Sequence, residues 1–208
     1  MKISIIGSGN VGGALGKRWA AAGHEVKFGV RDTGKAEVVA LLKTPGTSAG
    51  TVAEAAAFGE VVVLTTPWNA TEAAIKTAGN LAGKVVVDCT NPLKPDLSGL
   101  SVGLDNSGAE MVAQWAAGAR VVKCFNSTGA ENMLNPQFGN DRAVMLLAGD
   151  DTTAKTTVTK LGQDLGFEMV DAGDLSVARL LEPVAMLWVH LAYRRGFGRN
   201  FAFKLLRR

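Results

Sequence analysis

Three features of the 208-residue sequence predict an α/β fold with a doubly wound, mostly parallel sheet. Short β-branched runs alternate with alanine-rich stretches along most of the chain. Most runs are too continuously apolar to leave one face wet, as expected for a parallel sheet covered by helices on both sides. The first run also feeds directly into a glycine-rich turn at the head of a helix, the arrangement of a Rossmann-type nucleotide-binding unit. Hydrophobic residues make up 47% and charged residues 20%, so there is enough apolar surface to bury a core. Residues 1–208 are expected to form a single domain with a small helical C-terminal extension over about 174–208.

The strands are read, in order, at Ile3–Ile6, Glu25–Val30, Val61–Thr65, Val85–Asp88, Val121–Cys124, Ala143–Leu147 and Phe167–Val170. Helices fill the intervals near 11–22, 35–43, 51–57, 70–80, 108–116 and 152–165. Thr51-x-x-Glu54 and Ser107-x-x-Glu110 match capping boxes, which mark helix starts. Gly23, Gly83, Gly118 and Gly166 stand where helices should stop. From Leu175 to Tyr193 the pattern predicts a long apolar helix kinked at Pro183.

Composition narrows the function. The longest apolar run in that helix, Val184–Tyr193, falls short of the ~18 residues a membrane span needs, and no secretory signal pattern follows Met1. A cytoplasmic protein without membrane or nucleic-acid partners is expected. Cys89 and Cys124 fit neither a zinc knuckle nor a redox pair, so both read as reduced thiols and no metal site is expected. The net charge of +3 is uneven: Arg194, Arg195, Arg199, Lys204, Arg207 and Arg208 lie beyond residue 193 with no acid among them. That basic cluster is either a solvated tail or a contact surface.

The chemistry centres on Gly7-Ser8-Gly9-Asn10-Val11-Gly12, a GxGxxG run between a strand and a helix. Gly7 permits the turn, Gly9 admits a pyrophosphate, and Gly12 lets the helix pack on the strand. An NAD site would place an acid about 20 residues farther on, holding the ribose diol. Arg31 stands there instead, with Lys35 one turn beyond, so NADP(H) is the expected cofactor: guanidinium is suited to a 2′-phosphate. Asp32 would blur that preference if it faced the ribose. Thr66, Pro67 and Trp68, Asn91 and Pro92, and Asn126 follow the carboxyl ends of later strands, the rim where such sheets bind ligands. They are candidates to line the path from diphosphate to nicotinamide. His24 and His190 read as structural, and the long apolar helix carries no lysine. Lys94 and Lys123 are the remaining candidates to reach the site as proton donors.

The stretches GSGNVG at 7–12, GVRDTGK at 29–35, LTTPW at 64–68, DCTNPL at 88–93 and KCFNSTGAENM at 123–133 resemble the F420-dependent NADP oxidoreductases. They are also similar to the dinucleotide-binding domain of STEAP-type metalloreductases. The resemblance implies a homodimer that exchanges hydride directly between NADPH and a deazaflavin (F420) or flavin. It carries the 2′-phosphate site over to Ser8, Arg31 and Lys35, and adds Ala130 to the cofactor-binding residues. Val30, counted with the cofactor-binding residues, replaces the serine expected before the arginine. A flavin or ferric reductase module and a non-enzymatic NADP(H) sensor are the alternatives. The apolar residues from Leu180 through Leu206 independently favour a dimer, because a chain this small cannot easily hide them.

Overall fold

A computed structural model describes all 208 residues. The first half alternates strands and helices: β1 (Lys2–Ile6), α1 (Asn10–Ala21), β2 (Glu25–Gly29), α2 (Ala36–Leu41), β3 (Thr47–Gly50), α3 (Val52–Phe58), β4 (Val61–Leu64), α4 (Trp68–Ala78) and β5 (Val85–Asp88). The second half contains α5 (Gly108–Trp115), β6 (Arg120–Lys123), α6 (Ala130–Leu134), β7 (Gln137–Phe138), β8 (Asp141–Arg142), β9 (Val144–Gly149), α7 (Thr152–Leu165), β10 (Glu168–Asp171) and α8 (Ala178–Val189). Eight strands form one sheet in the order β10-β9-β6-β5-β4-β1-β2-β3. Every pairing in it is parallel except β6 with β9. The α/β doubly wound reading therefore holds.

Alternation of side chains across the strands explains why both faces are buried. Ile3, Ile5, Val61, Val63, Val85 and Val87 enter one core, with Leu15 and Trp19 of α1 and Val158 and Leu161 of α7. Ile6, Val62, Leu64 and Val86 enter the other, with Ala55 of α3, Ile75 of α4 and Val112 of α5. The chain leaves β1 to pair on one side with β2 and on the other with β4. That reversal opens a crevice at the carboxyl ends of β1 and β4, where ligands bind in such sheets.

Several local readings need correction. Strand β3, Thr-Ser-Ala-Gly, has no apolar run to announce it and forms by pairing with the edge of β2. Helix α6 and the β7–β8 hairpin are too short for a periodic signal. Gly79 (φ 80°), not Gly83, ends α4. Thr51 and Glu54 form the full capping box. At the second one Ser107 accepts from Glu110 N, but the Glu110 carboxylate turns to the Ser107 hydroxyl and to Arg179.

The C-terminal extension is present and helical only as far as Arg194. A short 3₁₀ turn (Leu175–Val177) enters α8, which runs unbroken through Pro183, and a π turn (His190–Arg194) ends it. Together Leu175–Arg194 makes 20 helical residues, with an 18-residue stretch of mean hydropathy 1.4, the length and composition of a membrane span and longer than the apolar run implied. Its inward face, Leu181, Glu182, Ala185 and Trp188, is buried against the rest of the fold. Beyond it the chain is irregular and strapped down. Phe203 O accepts from Val144 N at 3.0 Å, Phe201 O accepts from Trp188 Nε1 at 3.0 Å, and the Trp188 and Phe201 rings stack.

The α1–sheet contact is tight enough to test. A Cβ added at Gly16 would lie 2.8 Å from Phe28 Cε1 and 3.0 Å from Ile5 Cδ1, both in the core. Gly16→Ala should lower unfolding free energy by about 1–3 kcal/mol through overpacking, measured by urea denaturation. An unchanged midpoint would show that α1 can lift off the sheet freely.

Candidate functional site

The glycine-rich turn is built by steric exclusion. Gly7 has φ 113°, which side chains rarely adopt. A Cβ on Gly12 would lie 2.6 Å from Thr65 Oγ1 and closer still to the Gly7 carbonyl. Thr65 fastens the turn from β4 by sharing its hydroxyl between the Ile6 and Gly7 carbonyls at 3.1 and 3.2 Å. Gly9 differs, since a Cβ there would meet nothing within 4 Å. It precedes α1 as an N-cap without a side-chain hydrogen bond, and the first turn holds no acid. The N–H groups of Asn10, Val11 and Gly12 thus have no side-chain cap beside the exposed Gly9 and Asn10, as an anion site requires.

At the tip of β2 the structure separates four adjacent candidates. Val30 is 9% exposed and belongs to the core, so the residue that replaces the expected serine offers no side chain to a ligand. Arg31 is exposed and takes part in none of the molecule's ion pairs. Asp32 accepts from Gly34 N at 2.9 Å, an Asx turn that commits its Oδ1 to its own loop. Lys35 caps the approach to α2, with Nζ 3.9 Å from the exposed Glu37 carboxylate.

The later rim segments converge. Thr66 and Thr71 hydroxyls are 2.9 Å apart, and Thr71 also bonds the Pro67 carbonyl, fixing the entry to α4. Trp68 tilts against Trp115 of α5 with ring centroids 5.3 Å apart. Pro92 is buried beside it. Asn91 and Asn126 clasp each other: Asn91 Nδ2 donates to Asn126 O at 2.9 Å, and Asn126 Nδ2 donates to Asn91 Oδ1 at 3.0 Å and to Leu181 O on α8 at 3.2 Å. Just before Asn126, Phe125 holds φ 55° while fully buried against Trp19 and Phe167. Strained backbone of this kind persists only where packing over-determines it. Ala130 opens α6 and is itself core, so only its backbone borders the rim.

Beneath this rim lies a cluster that sequence reading missed. Lys123, fully buried, donates to Asp88 Oδ2 at 2.9 Å and to the Thr90 carbonyl at 2.6 Å, and lies 2.8 Å from Glu182 Oε1 on α8. Asp88 Oδ1 accepts from Thr90 N and Oγ1. The Glu182 oxygens accept from Gly108 N and Ala109 N at the start of α5. Burial works against the lysine charge, but Asp88 and Glu182 outweigh it and hold its pKa above that of ordinary lysine. The expectation that Lys123 reaches the site is therefore overturned, because all three of its protons are committed inside the fold. Lys94 is exposed, its N–H bonded to Gly99 O in the loop that follows Pro92. The available signal was one charge at the end of each of two apolar strands, and a third in an apolar helix.

Cys89 and Cys124 follow Asp88 and Lys123 and are both buried and free. Burial pushes both thiols well up, so they are neutral. His24 is buried and bridges to Asp164 Oδ2 at 3.1 Å, a structural role. His190 is exposed and lines a cavity of about 170 Å³ with Leu97, Val189, Tyr193 and Arg194. The basic cluster is partly spent within the chain: Arg194 bonds Asp96 O, Arg199 pairs with Glu131, and Lys204 pairs with Asp141. The rim thus presents amides and hydroxyls while its charged groups pair below it. Such a site aligns reactants more readily than it shuttles protons.

Residues 2–92 match the model of the family described as NADP oxidoreductase, coenzyme F420-dependent. The chain is 33% identical over 210 residues to the F420-dependent NADP reductase of Methanothermobacter marburgensis, covering 92% of each. It superposes with TM-score 0.91 and 32% identity, over 100% of both chains, on a crystal structure from Arthrobacter sp. FB24 provisionally named an F420-dependent NADP-reductase. It is 28% identical to the rat metalloreductase STEAP3 over 89% of this chain, spanning 36% of that protein.

The thiol environments give a direct check. A thiol reagent at pH 8 should titrate neither cysteine in the native protein and both after denaturation, since reaction needs an accessible thiolate. Rapid native labelling of either would contradict the packing at the ends of β5 and β6.

Proposed function

Because the chain belongs to the F420-dependent NADP oxidoreductase family and is an NADPH-dependent oxidoreductase, we propose that it moves a hydride directly between NADPH and a deazaflavin of the F420 type. The observation that carries this reading is the tip of β2, where Arg31 stands unpaired and Asp32 is held in its own turn. In the crevice, the open approach at Gly9 and the uncapped start of α1 fit a dinucleotide diphosphate. Arg31 and Lys35, with Ser8 nearby in the turn, take the 2′-phosphate. Thr66, Pro67 and Trp68 lead to the Asn91–Pro92 and Asn126 segments, which receive the nicotinamide end.

NADPH, when bound, supplies a hydride from C4 of its ring, and the deazaflavin takes that hydride together with a proton from solvent. Asn91 and Asn126 hold the rim in one shape, and the buried aromatic cluster behind Phe125 keeps it rigid. The chain needs no nucleophile for this step, and none is offered. Residues 1–208 act as one NADP-binding unit in the cytoplasm. The similarity to the metalloreductase STEAP3 supports a second reading, a flavin or ferric reductase module.

The reading is tested by offering F420, FMN and FAD in turn to purified protein and following NADPH oxidation. F420 should be reduced fastest. NADPH binding without turnover of any acceptor would instead mark a sensor. Arg31→Ala should weaken NADPH binding by at least ~1.5–3 kcal/mol while changing NADH binding little, measured by titration. Equal losses would show that Arg31 does not read the 2′-phosphate.

A homodimer completes the proposal. Phe201 and Phe203 are half-buried in the chain itself, which removes part of the apolar surface counted from sequence. Besides Tyr193, Phe197, Leu205 and Leu206, what remains is a stripe along α8 and into the turn after it: Leu180 (66% exposed), Val184, Leu187 (50% exposed) and Leu191. A second copy covers that stripe. Sedimentation should show a dimer at micromolar concentration and a monomer for Leu187→Glu. A monomeric wild-type protein would contradict it.

A further inference from the structure

Three charged side chains almost out of contact with water are an odd way to stabilise a fold. Asp88 and Lys123 are 0% exposed and Glu182 is 1% exposed. Buried ion pairs are often replaced by apolar side chains at no loss of stability, so stability alone gives no reason for them. The cluster is also unbalanced, with two carboxylates against one ammonium. The neighbouring Cys89 and Cys124 thiols are neutral, and the nearby Glu110–Arg179 pair on α5 and α8 sums to zero. The surplus negative charge is met only by dipoles, the N–H groups of Gly108, Ala109 and Thr90 and the Thr90 hydroxyl.

The cluster's position gives the surplus a use. Lys123 grips the Thr90 carbonyl, immediately before Asn91, and Glu182 adjoins Leu181, whose carbonyl holds Asn126. Three residues of chain span at most ~10–11 Å, so the Asp88 backbone lies no farther than that from Asn91. The surplus charge therefore lies next to the segments assigned to the nicotinamide, in contact with Thr90 and one residue from Leu181.

We propose that Asp88, Lys123 and Glu182 form an electrostatic positioning set whose net negative charge favours the cationic, oxidised nicotinamide and so favours departure of hydride from NADPH. This rests on the placement of the nicotinamide given above. When C4 gives up a hydride, two electrons and a proton's mass leave together, and the ring passes from neutral to singly positive. The acceptor gains the hydride and draws a proton from solvent. A fixed negative charge beneath the ring stabilises the positive charge as it develops, at no cost in reorganisation.

The test compares affinities for NADP+ and NADPH by titration calorimetry in the wild type, Glu182→Gln and Asp88→Asn. Each variant is close to isosteric and removes one negative charge, and either one that folds decides the question. The ratio of NADP+ to NADPH affinity should fall by about 2- to 15-fold, as for a unit charge ~10 Å away with an effective dielectric between ~80 and ~20. Hydride transfer from bound NADPH should slow in the same variants, while the preference for NADPH over NADH, set at Arg31, stays as in the wild type. An unchanged ratio, or equal loss of both affinities, would reduce the cluster to a structural clamp and overturn the proposal. A wild type that does not prefer NADPH over NADH would instead overturn the cofactor reading itself.

Discussion

The ammonium of Lys123 lies fully buried between Asp88, Glu182 and the Thr90 carbonyl, and the arrangement of the rim depends on that contact. One side chain joins the ends of β5 and β6 to α8, and Glu182 extends the connection to the first turn of α5. Every proton of the ammonium and every oxygen of both carboxylates has a partner, so the network favours one arrangement of these elements and penalises others. Removing Lys123 would leave two carboxylates in the core without a counter-charge. The Thr90–Asn91–Pro92 segment is held from below by this network and from the side by Asn126.

Local chemistry made much of this molecule readable from its sequence. The continuous apolar strands, the full capping box at Thr51 and the glycines at 7, 9 and 12 act within a few residues of themselves. The open β2 tip was readable too, because arginine in place of an acid changes the ligand whatever the rest of the fold does. The central cluster was not readable. Asp88, Lys123 and Glu182 are far apart in the chain, and only the sheet order and the docking of α8 bring them together. At Val30, beside the exposed Arg31, strand alternation turns the side chain into the core, which the sequence around the tip does not announce. Phe201 of the tail reads as surface seeking a partner, yet Trp188 supplies one from within, while Phe197 stays exposed.

Helix α8 does two jobs with its two faces. Its inner face carries Leu181 and Glu182 to the rim, while its outer face presents the apolar stripe. A helix this apolar would pass for a membrane span by composition, and its buried Glu182 ties it to Lys123 of β6 and to the first turn of α5. The π turn that follows redirects the chain, so that Arg194 bonds the Asp96 carbonyl and the tail returns across α6 and β9.

The central claim is that a dinucleotide lies across the carboxyl ends of the strands, with its diphosphate on the start of α1 and its reactive ring above the buried cluster. Amide hydrogen exchange with and without NADPH tests it most directly. The account predicts slowed exchange at Asn10, Val11 and Gly12, which have no side-chain cap, and at the 31–35 and 126–130 segments together. Protection confined to residues 194–208, or to the cavity beside Leu97 and His190, with the start of α1 unchanged, would contradict it.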